Sequence, residues 1–386
     1  MDIKKGYFFS QIQEGAIGPR KKVASQLQAL KKCGIDMELV ESPFQLDGKI
    51  RGNFLLRQIV CRIPFTYVYS KHEYKEEYGK ADVFYIRFLA GDFQFVKFLK
   101  KLRKNNPEAV MIMELADYPT TWYMDASFLY KIVYIPIRLK DILARRHYAK
   151  YIDRMALLES LDTIYGIPVI RFRNGLDVES VTVRRPSGTE TIRLIAVAAM
   201  CNFHGYDRLI EGLHQYYVNG GMRKIEIHFV GGKRIPGNDL IKYENMCEKY
   251  NLQDSITFHG ERFGKELDEV YDSCNLAISS LGEYRRGYKS VDCTLKIGEY
   301  LAKGLPIVSG CPVNILKEGN FQYSYECPND DTAIDIEAIT TFFDRVYRQD
   351  EQEVIGEIRQ YAKKYCDMTY AMKPIIDYIK DSKANG

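Results

Sequence analysis

Lys296 and Glu299 stand three residues apart in "LKIGEYLAKGLPIV", residues 295–308. That spacing puts both side chains on one face of a helix. Gly304 is placed to end the helix, and "LPIV" then reads as a strand. A cation followed by an acid is the unfavourable order for an isolated helix. The lysine opposes the macrodipole near the N-terminus, and a pair with the acid first is the better one. An anionic ligand at the helix N-terminus would make the order explicable. Other residues able to do chemistry lie where strands should end. His204 and Gly205 open "HGYDRLIEGLHQYY", and Gly231 follows the run "IEIHFV". Glu283, Arg285, Arg286 and Lys289 share the loop "GEYRRGYKSVDCT". Gly15 and Gly18 follow "GYFFS" and permit close backbone approach, with Lys21 and Lys22 next to them. Glu114, Asp117 and Tyr118 close the apolar run "AVMIMELA", at the strand end where open α/β sheets bind ligands. Each group also has a plain structural reading: a surface ion pair, a capping histidine, turn glycines or a solvated basic loop.

The elements that must position these groups follow an α/β rhythm. "GYFFS", a glycine-bearing loop, the amphipathic "KKVASQLQALKKCG" and "IDMELV" read as strand, loop, helix and strand. "ADVFYIRF", "FQFVKFLKKLRK" and "AVMIMELA" continue the pattern. The last run is apolar enough for the interior of a parallel sheet. "VRRPSGTE", residues 183–190, is polar, contains proline and lacks a period, so it reads as a linker. "IRLIAVAAM" (192–200) restarts the alternation, which runs to a last helix near 370–381. The expected organisation is two successive Rossmann-like, doubly wound domains whose strand ends face each other across a cleft. Their bounds are residues 1–182 and 191–366, joined by 183–190, with 367–386 as a C-terminal helical segment.

Composition narrows the function. The chain has 386 residues, 46% hydrophobic and 27% charged, so two soluble domains are expected. A net charge of +4 argues against a nucleic-acid protein with a broad basic footprint. Nine cysteines without a CxxC pair signal neither zinc nor a redox motif, and an odd count without a framework suits a reducing cytoplasm. The N-terminus lacks the apolar core of a secretory signal, and no long apolar run marks a membrane span. Neither GxGxxG nor GxxxxGK[ST] occurs.

The ordered set "CNFHGYDRLIEGL", "FVGG", "ITFHG", "ELDEVYDSCNLAISSLG" and "LKIGEYLAKGLPIV" resembles the donor-binding domain of GT-B glycosyltransferases, and in particular the retaining glycosyltransferase family 4. The resemblance spans about residues 190–310 and is looser in the first half. It implies a GT-B fold whose C-terminal helix crosses back to the first domain. It also implies that Glu299 binds ribose hydroxyls, since a carboxylate accepts two hydrogen bonds at once. Lys296 would meet the diphosphate, with His204, Gly205, Gly231, Tyr300, Arg285, Lys289, Gly15 and Gly18 completing the donor side. The basic loop would stabilise the departing phosphate. Glu114, Asp117 and Tyr118 are the acceptor-side residues, and Glu283 and Asp117 the catalytic candidates. The family commonly has a second glutamate eight positions before Glu299, where this chain has Val291.

The function so implied is transfer of a sugar, with retention, from a nucleotide-diphosphate sugar to a hydroxyl of a glycan or lipid-linked glycan, in cell-surface polysaccharide synthesis. No metal or other cofactor is expected. The basic, aromatic stretch 126–154 is a candidate contact with an anionic membrane, placing the protein in the cytoplasm or on the membrane's inner face. Its rival is a helix with a solvated basic face. Rival functions are a GT-B epimerase or phosphorylase, or a non-catalytic sugar-nucleotide or glycan-binding subunit, the last suggested by Val291.

Overall fold

A computed structural model describes residues 5–10, 17–41, 56, 59–63, 73–88, 91–115, 128–158, 161–232 and 238–384. The chain divides into two units, Met1–Arg173 with Ala371–Gly386, and Asn174–Tyr370.

In the first unit the strands are β1 (Gly6–Ser10), β2 (Met37–Glu41), β3 (Val83–Phe88), β4 (Val110–Leu115), β5 (Arg154–Leu157), β6 (Thr163–Ile164) and β7 (Ile167–Arg171). They form a sheet of order β2-β1-β3-β4-β5-β7-β6 in which only β6–β7 is antiparallel. Every residue of β1, β3 and β4 is buried, which is why these strands read as nearly continuous apolar runs, broken only by Ser10, Arg87 and Glu114 near their carboxyl ends. Among the described residues before 174, helices α1 (Ile17–Lys32), α2 (Phe93–Asn105) and α3 (Phe128–Arg145) accompany them. Asp92 caps α2 by accepting from the Phe95 amide at 2.8 Å. Phe95, Phe98, Leu99 and Leu102 of α2 then join Tyr7, Phe9, Phe84 and Ile86 in one core.

The second unit has six strands, all parallel: β8 (Ile192–Val197), β9 (Ile225–Val230), β10 (Ile256–Phe258), β11 (Leu276–Ile278), β12 (Ile307–Ser309) and β13 (Ser324–Glu326), in the order β10-β9-β8-β11-β12-β13. Its helices are α4 (Tyr206–Val218), α5 (Leu240–Lys249), α6 (Lys265–Ser273), α7 (Leu295–Lys303), α8 (Asn314–Glu318), α9 (Ile336–Val346) and α10 (Glu351–Tyr365). After α11 (Met368–Ala371), helix α12 (Lys373–Ala384) belongs to the first unit. There Lys383 donates to the Glu108 carbonyl at 2.8 Å, and the Arg154 guanidinium lies 4.6 Å from the Tyr378 ring centre. The C-terminal helix thus crosses back.

Residues 183–190, expected as a linker, are bonded into the second unit. The chain changes unit at 173–174 and again at 370–371. Arg184 is buried and donates to Glu351 at 2.7 Å and to the Tyr347 hydroxyl at 3.0 Å. Glu351 also accepts from the amides of Ser187 (3.1 Å) and Gly188 (2.9 Å). Removing one partner of a buried pair leaves the other charge uncompensated, which costs about 3–5 kcal/mol. Arg184→Met is therefore expected to lower the calorimetric unfolding temperature of the protein by several degrees. An unmoved transition would show that this stretch carries no weight in the fold.

Candidate functional site

In the second unit β8 has β9 on one side and β11 on the other. The strand order reverses between β8 and β11, and ligands of open α/β sheets bind outside the strand ends at such a point. The two loops that leave these strands are fastened together. The Leu281 amide donates to the His204 carbonyl at 2.7 Å. Gly205 has φ 64°, and a Cβ there would stand 2.5 Å from the Gly282 nitrogen. Only glycine permits this approach. From α4, Arg208 donates to the carbonyls of Leu281, Thr332 (2.7 Å) and Pro328 (2.8 Å).

The side chains at this point are complementary to an oxyanion. His204 is buried, and its Nδ1 accepts from the Cys201 amide at 2.9 Å. The proton of the neutral ring is therefore on Nε2. Burial, with the Lys296 and Arg286 cations adding to it, keeps the ring neutral. Lys296 enters from the first turn of α7, whose N-cap is Thr294, and is half-buried. Its Nζ donates to Ser280 Oγ at 3.2 Å. Burial pushes its pKa down to about 8; the Glu283 carboxylate opposes the shift and Arg286 adds to it. Glu283 is buried and accepts from Arg286 Nε at 3.2 Å. The Arg286 guanidinium covers the Phe203 ring at 3.8 Å. Glu299 is half-buried on α7, three residues after Lys296. An ammonium and a hydroxyl thus meet at a strand-order reversal, with the neutral His204 ring within electrostatic reach of the ammonium, and an ammonium forms charge-assisted bonds with anions.

The other expected residues fall elsewhere. Tyr300 is fully buried, and its hydroxyl accepts from the Val197 amide at 2.8 Å, so it holds the end of β8 instead of facing a ligand. Arg285 is engaged bidentately by Asp207 at 3.0 and 2.9 Å and donates to the Asn202 carbonyl at 2.8 Å. Its charge is taken up within the protein. Lys289 is exposed. At Gly231 a Cβ would meet the Ala198 carbonyl oxygen at 2.3 Å, so that glycine serves packing between adjacent loops. Gly18 lies in the first turn of α1 with open space around it. Gly15, Asp117 and Tyr118 lie outside the described residues. Val291, where the resemblance would put a glutamate, makes a backbone bridge with Val313. Ser280 was not foreseen: a serine ending a strand carries no motif, and only the strand order reveals its place.

Residues 191–343 match the family model described as glycosyl transferases group 1. No curated protein matches the chain. Among solved structures, a glycosyltransferase from Rickettsia africae ESF-5 is 12% identical with TM-score 0.62, covering 99% of this chain and 100% of that one. Sucrose-phosphate synthase from Thermosynechococcus elongatus is 13% identical with TM-score 0.59, covering 99% and 100%. Anabaena HepE in complex with UDP is 12% identical with TM-score 0.57, covering 98% and 100%.

The fold is GT-B.

In the first unit of this GT-B chain, Glu114, expected on the acceptor side, is engaged by groups of the protein itself. It is fully buried and saturated: Lys22 (3.2 Å) and Arg87 Nε (3.3 Å) reach Oε1, and Gln26 (2.8 Å) and the Tyr85 hydroxyl (2.7 Å) reach Oε2. A carboxylate so occupied is not a base toward an acceptor. Burial alone would raise its pKa, but Lys22 and Arg87, with the hydrogen bonds from Gln26 and Tyr85, hold it at about 2 against an ordinary 4.5. Folded Glu114 binds its proton less tightly than the unfolded chain does. Its contribution is therefore complete above about pH 4.5 and is lost as pH falls toward 2. The difference is worth about 3 kcal/mol. Urea midpoints measured against pH should fall over this window in the wild type. In Glu114→Gln they should be lower at neutral pH and fall less steeply with acid. Parallel pH profiles would refute the role of this carboxylate.

Proposed function

We propose that the protein is a glycosyltransferase that moves a sugar from a nucleotide-diphosphate sugar to a hydroxyl of a glycan or lipid-linked glycan, with retention of configuration. The observation that carries this reading is the convergence of Lys296, Ser280 and His204 at the strand-order reversal of the domain that matches group 1 glycosyl transferases. In this reading Lys296 and the His204 Nε2–H bind the diphosphate and stabilise it as it leaves. Glu299 binds the ribose hydroxyls, and the helix N-terminus of α7 adds its amides. Glu283 acts as a positioning residue: it holds Arg286 and keeps Lys296 charged near neutral pH. The positive groups of the chain meet the leaving charge, so the reaction is expected to run in the presence of a chelator.

UDP is the first probe, because HepE was solved with UDP and with UDP-glucose. By calorimetry, Lys296→Met is expected to weaken UDP binding tenfold or more. Glu299→Ala should weaken UDP more than it weakens inorganic pyrophosphate, which has no ribose. Unchanged UDP affinity in both variants would sink the assignment.

The acceptor side is proposed to lie at a membrane surface. Among the described residues no helix is long and apolar enough to cross a membrane. Helix α3 instead carries exposed Ile132, Ile135, Leu139, Ile142 and Leu143 at helical spacing, with exposed Arg138 and Arg146 nearby. Its opposite stripe is anchored through buried Ile137, Lys140, Asp141 and Ala144. Lys140 donates to the Cys61 carbonyl at 3.0 Å, and Asp141 accepts from the Gly91 amide at 2.9 Å. An apolar outer face flanked by arginines suits the surface of an anionic bilayer, on the cytoplasmic leaflet in this reading. The wild type should pellet with anionic liposomes at low salt, and Ile135→Asp with Leu139→Asp should remain in the supernatant. A wild type that does not pellet would remove the membrane contact.

A further inference from the structure

The first unit has a strand-order reversal of its own, between β1 and β3. The parallel register aligns Ser10 with Arg87 and Arg87 with Glu114, so the three side chains form one row on one face at the carboxyl end of the sheet. Helix α1 adds Lys22 and Gln26, four residues apart, to the same face through their bonds to Glu114. Lys22, Arg87 and Glu114 are 7%, 8% and 0% exposed, so two cations share one buried anion.

The partners are unevenly distributed. Glu114 has four donors, whereas Arg87 uses only Nε, and its two Nη groups have no hydrogen-bond partner among the described residues. Ser10 Oγ and Gln26 Oε1 are buried and also lack a partner. Among the described residues two cationic side chains thus face one carboxylate, and the arginine of the two cannot shed its charge. Among the described residues, a buried arginine with two unbonded Nη groups lies beside a buried unpartnered hydroxyl at a strand-order reversal, which supplies the donors an oxyanion site needs.

We propose that Arg87, assisted by Lys22 and Ser10, binds an oxyanion of the acceptor substrate, a phosphate or a carboxylate, at the carboxyl end of the first unit's sheet. The anion would take the free Nη donors and the Ser10 hydroxyl in a bidentate or forked geometry. Gln26 Oε1 is left to accept from a hydroxyl next to the anionic group, as sugars carry. Only the word acceptor rests on the glycosyltransferase reading; the anion site itself does not.

The test is calorimetric titration of the full chain with inorganic phosphate and with glucuronate, each repeated at saturating UDP. At least one anion should bind the wild type, with UDP present or absent, and the stronger of the two identifies the group. Arg87→Gln should weaken that anion tenfold or more while UDP affinity stays unchanged. Arg87→Lys keeps the charge in place, and should weaken it less; it also serves if the glutamine variant does not fold. The site is overturned if neither anion binds the wild type, or if both Arg87 variants bind it as tightly as the wild type. If UDP displaces the anion and Arg87→Gln weakens UDP, the group belongs to the donor and the acceptor assignment fails. Anion binding that depends on Arg87 in a protein that ignores UDP would uphold this site and overturn the proposed function instead.

Discussion

The hydrogen bond from the Leu281 amide to the His204 carbonyl, 2.7 Å long, joins the loops that leave β8 and β11. A neutral bond of this kind contributes only about 1 kcal/mol, but its geometry is what the site depends on. It requires the backbone contact between Gly205 and Gly282, and Arg208 reinforces it by donating to the next carbonyl along. With the loops fixed, α7 brings Lys296 against Ser280, and the Lys296 cation acts electrostatically on the His204 ring. Tyr300, on the buried side of α7, receives the Val197 amide and so ties the helix to the end of β8.

Both sheets hold charge where their strand order reverses, in different ways. In the second unit, burial lowers the pKa of Lys296 to about 8, and the nearby Glu283 limits the shift. Among the described residues this ammonium has a hydroxyl, Ser280 Oγ, and no carboxylate within ion-pair distance. In the first unit the anion is already present as Glu114, fully ionised, but two cations surround it. Removing charge from water is expensive, so such sites are where a ligand of opposite charge gains most.

Much of this was legible in the sequence. "LKIGEYLAKGLPIV" is α7, ended by a left-handed Gly304, followed by β12. After residue 192 five strands fall in the expected places, while the short β13 (Ser324–Glu326) was not expected. What was not legible depended on register and on pairs distant in sequence. Arg87 and Glu114 each stand as the one charge in an apolar strand, a visible signal. That they are adjacent follows only from the pairing of β3 with β4. Asp207 and Arg285 are 78 residues apart, so nothing local showed that this arginine was engaged. Tyr300 follows Glu299 directly, but a helix turns successive residues to different sides, and this one faces the core.

The most direct test of the central claim is the pKa of the Lys296 ammonium, followed by side-chain carbon NMR in the absence and presence of UDP. Free protein should titrate at about 8. An anion bound against Lys296 favours its charged form, so saturation with UDP should move the titration up toward the ordinary lysine value of 10.5. A Lys296 pKa that does not move when UDP is bound would contradict the account.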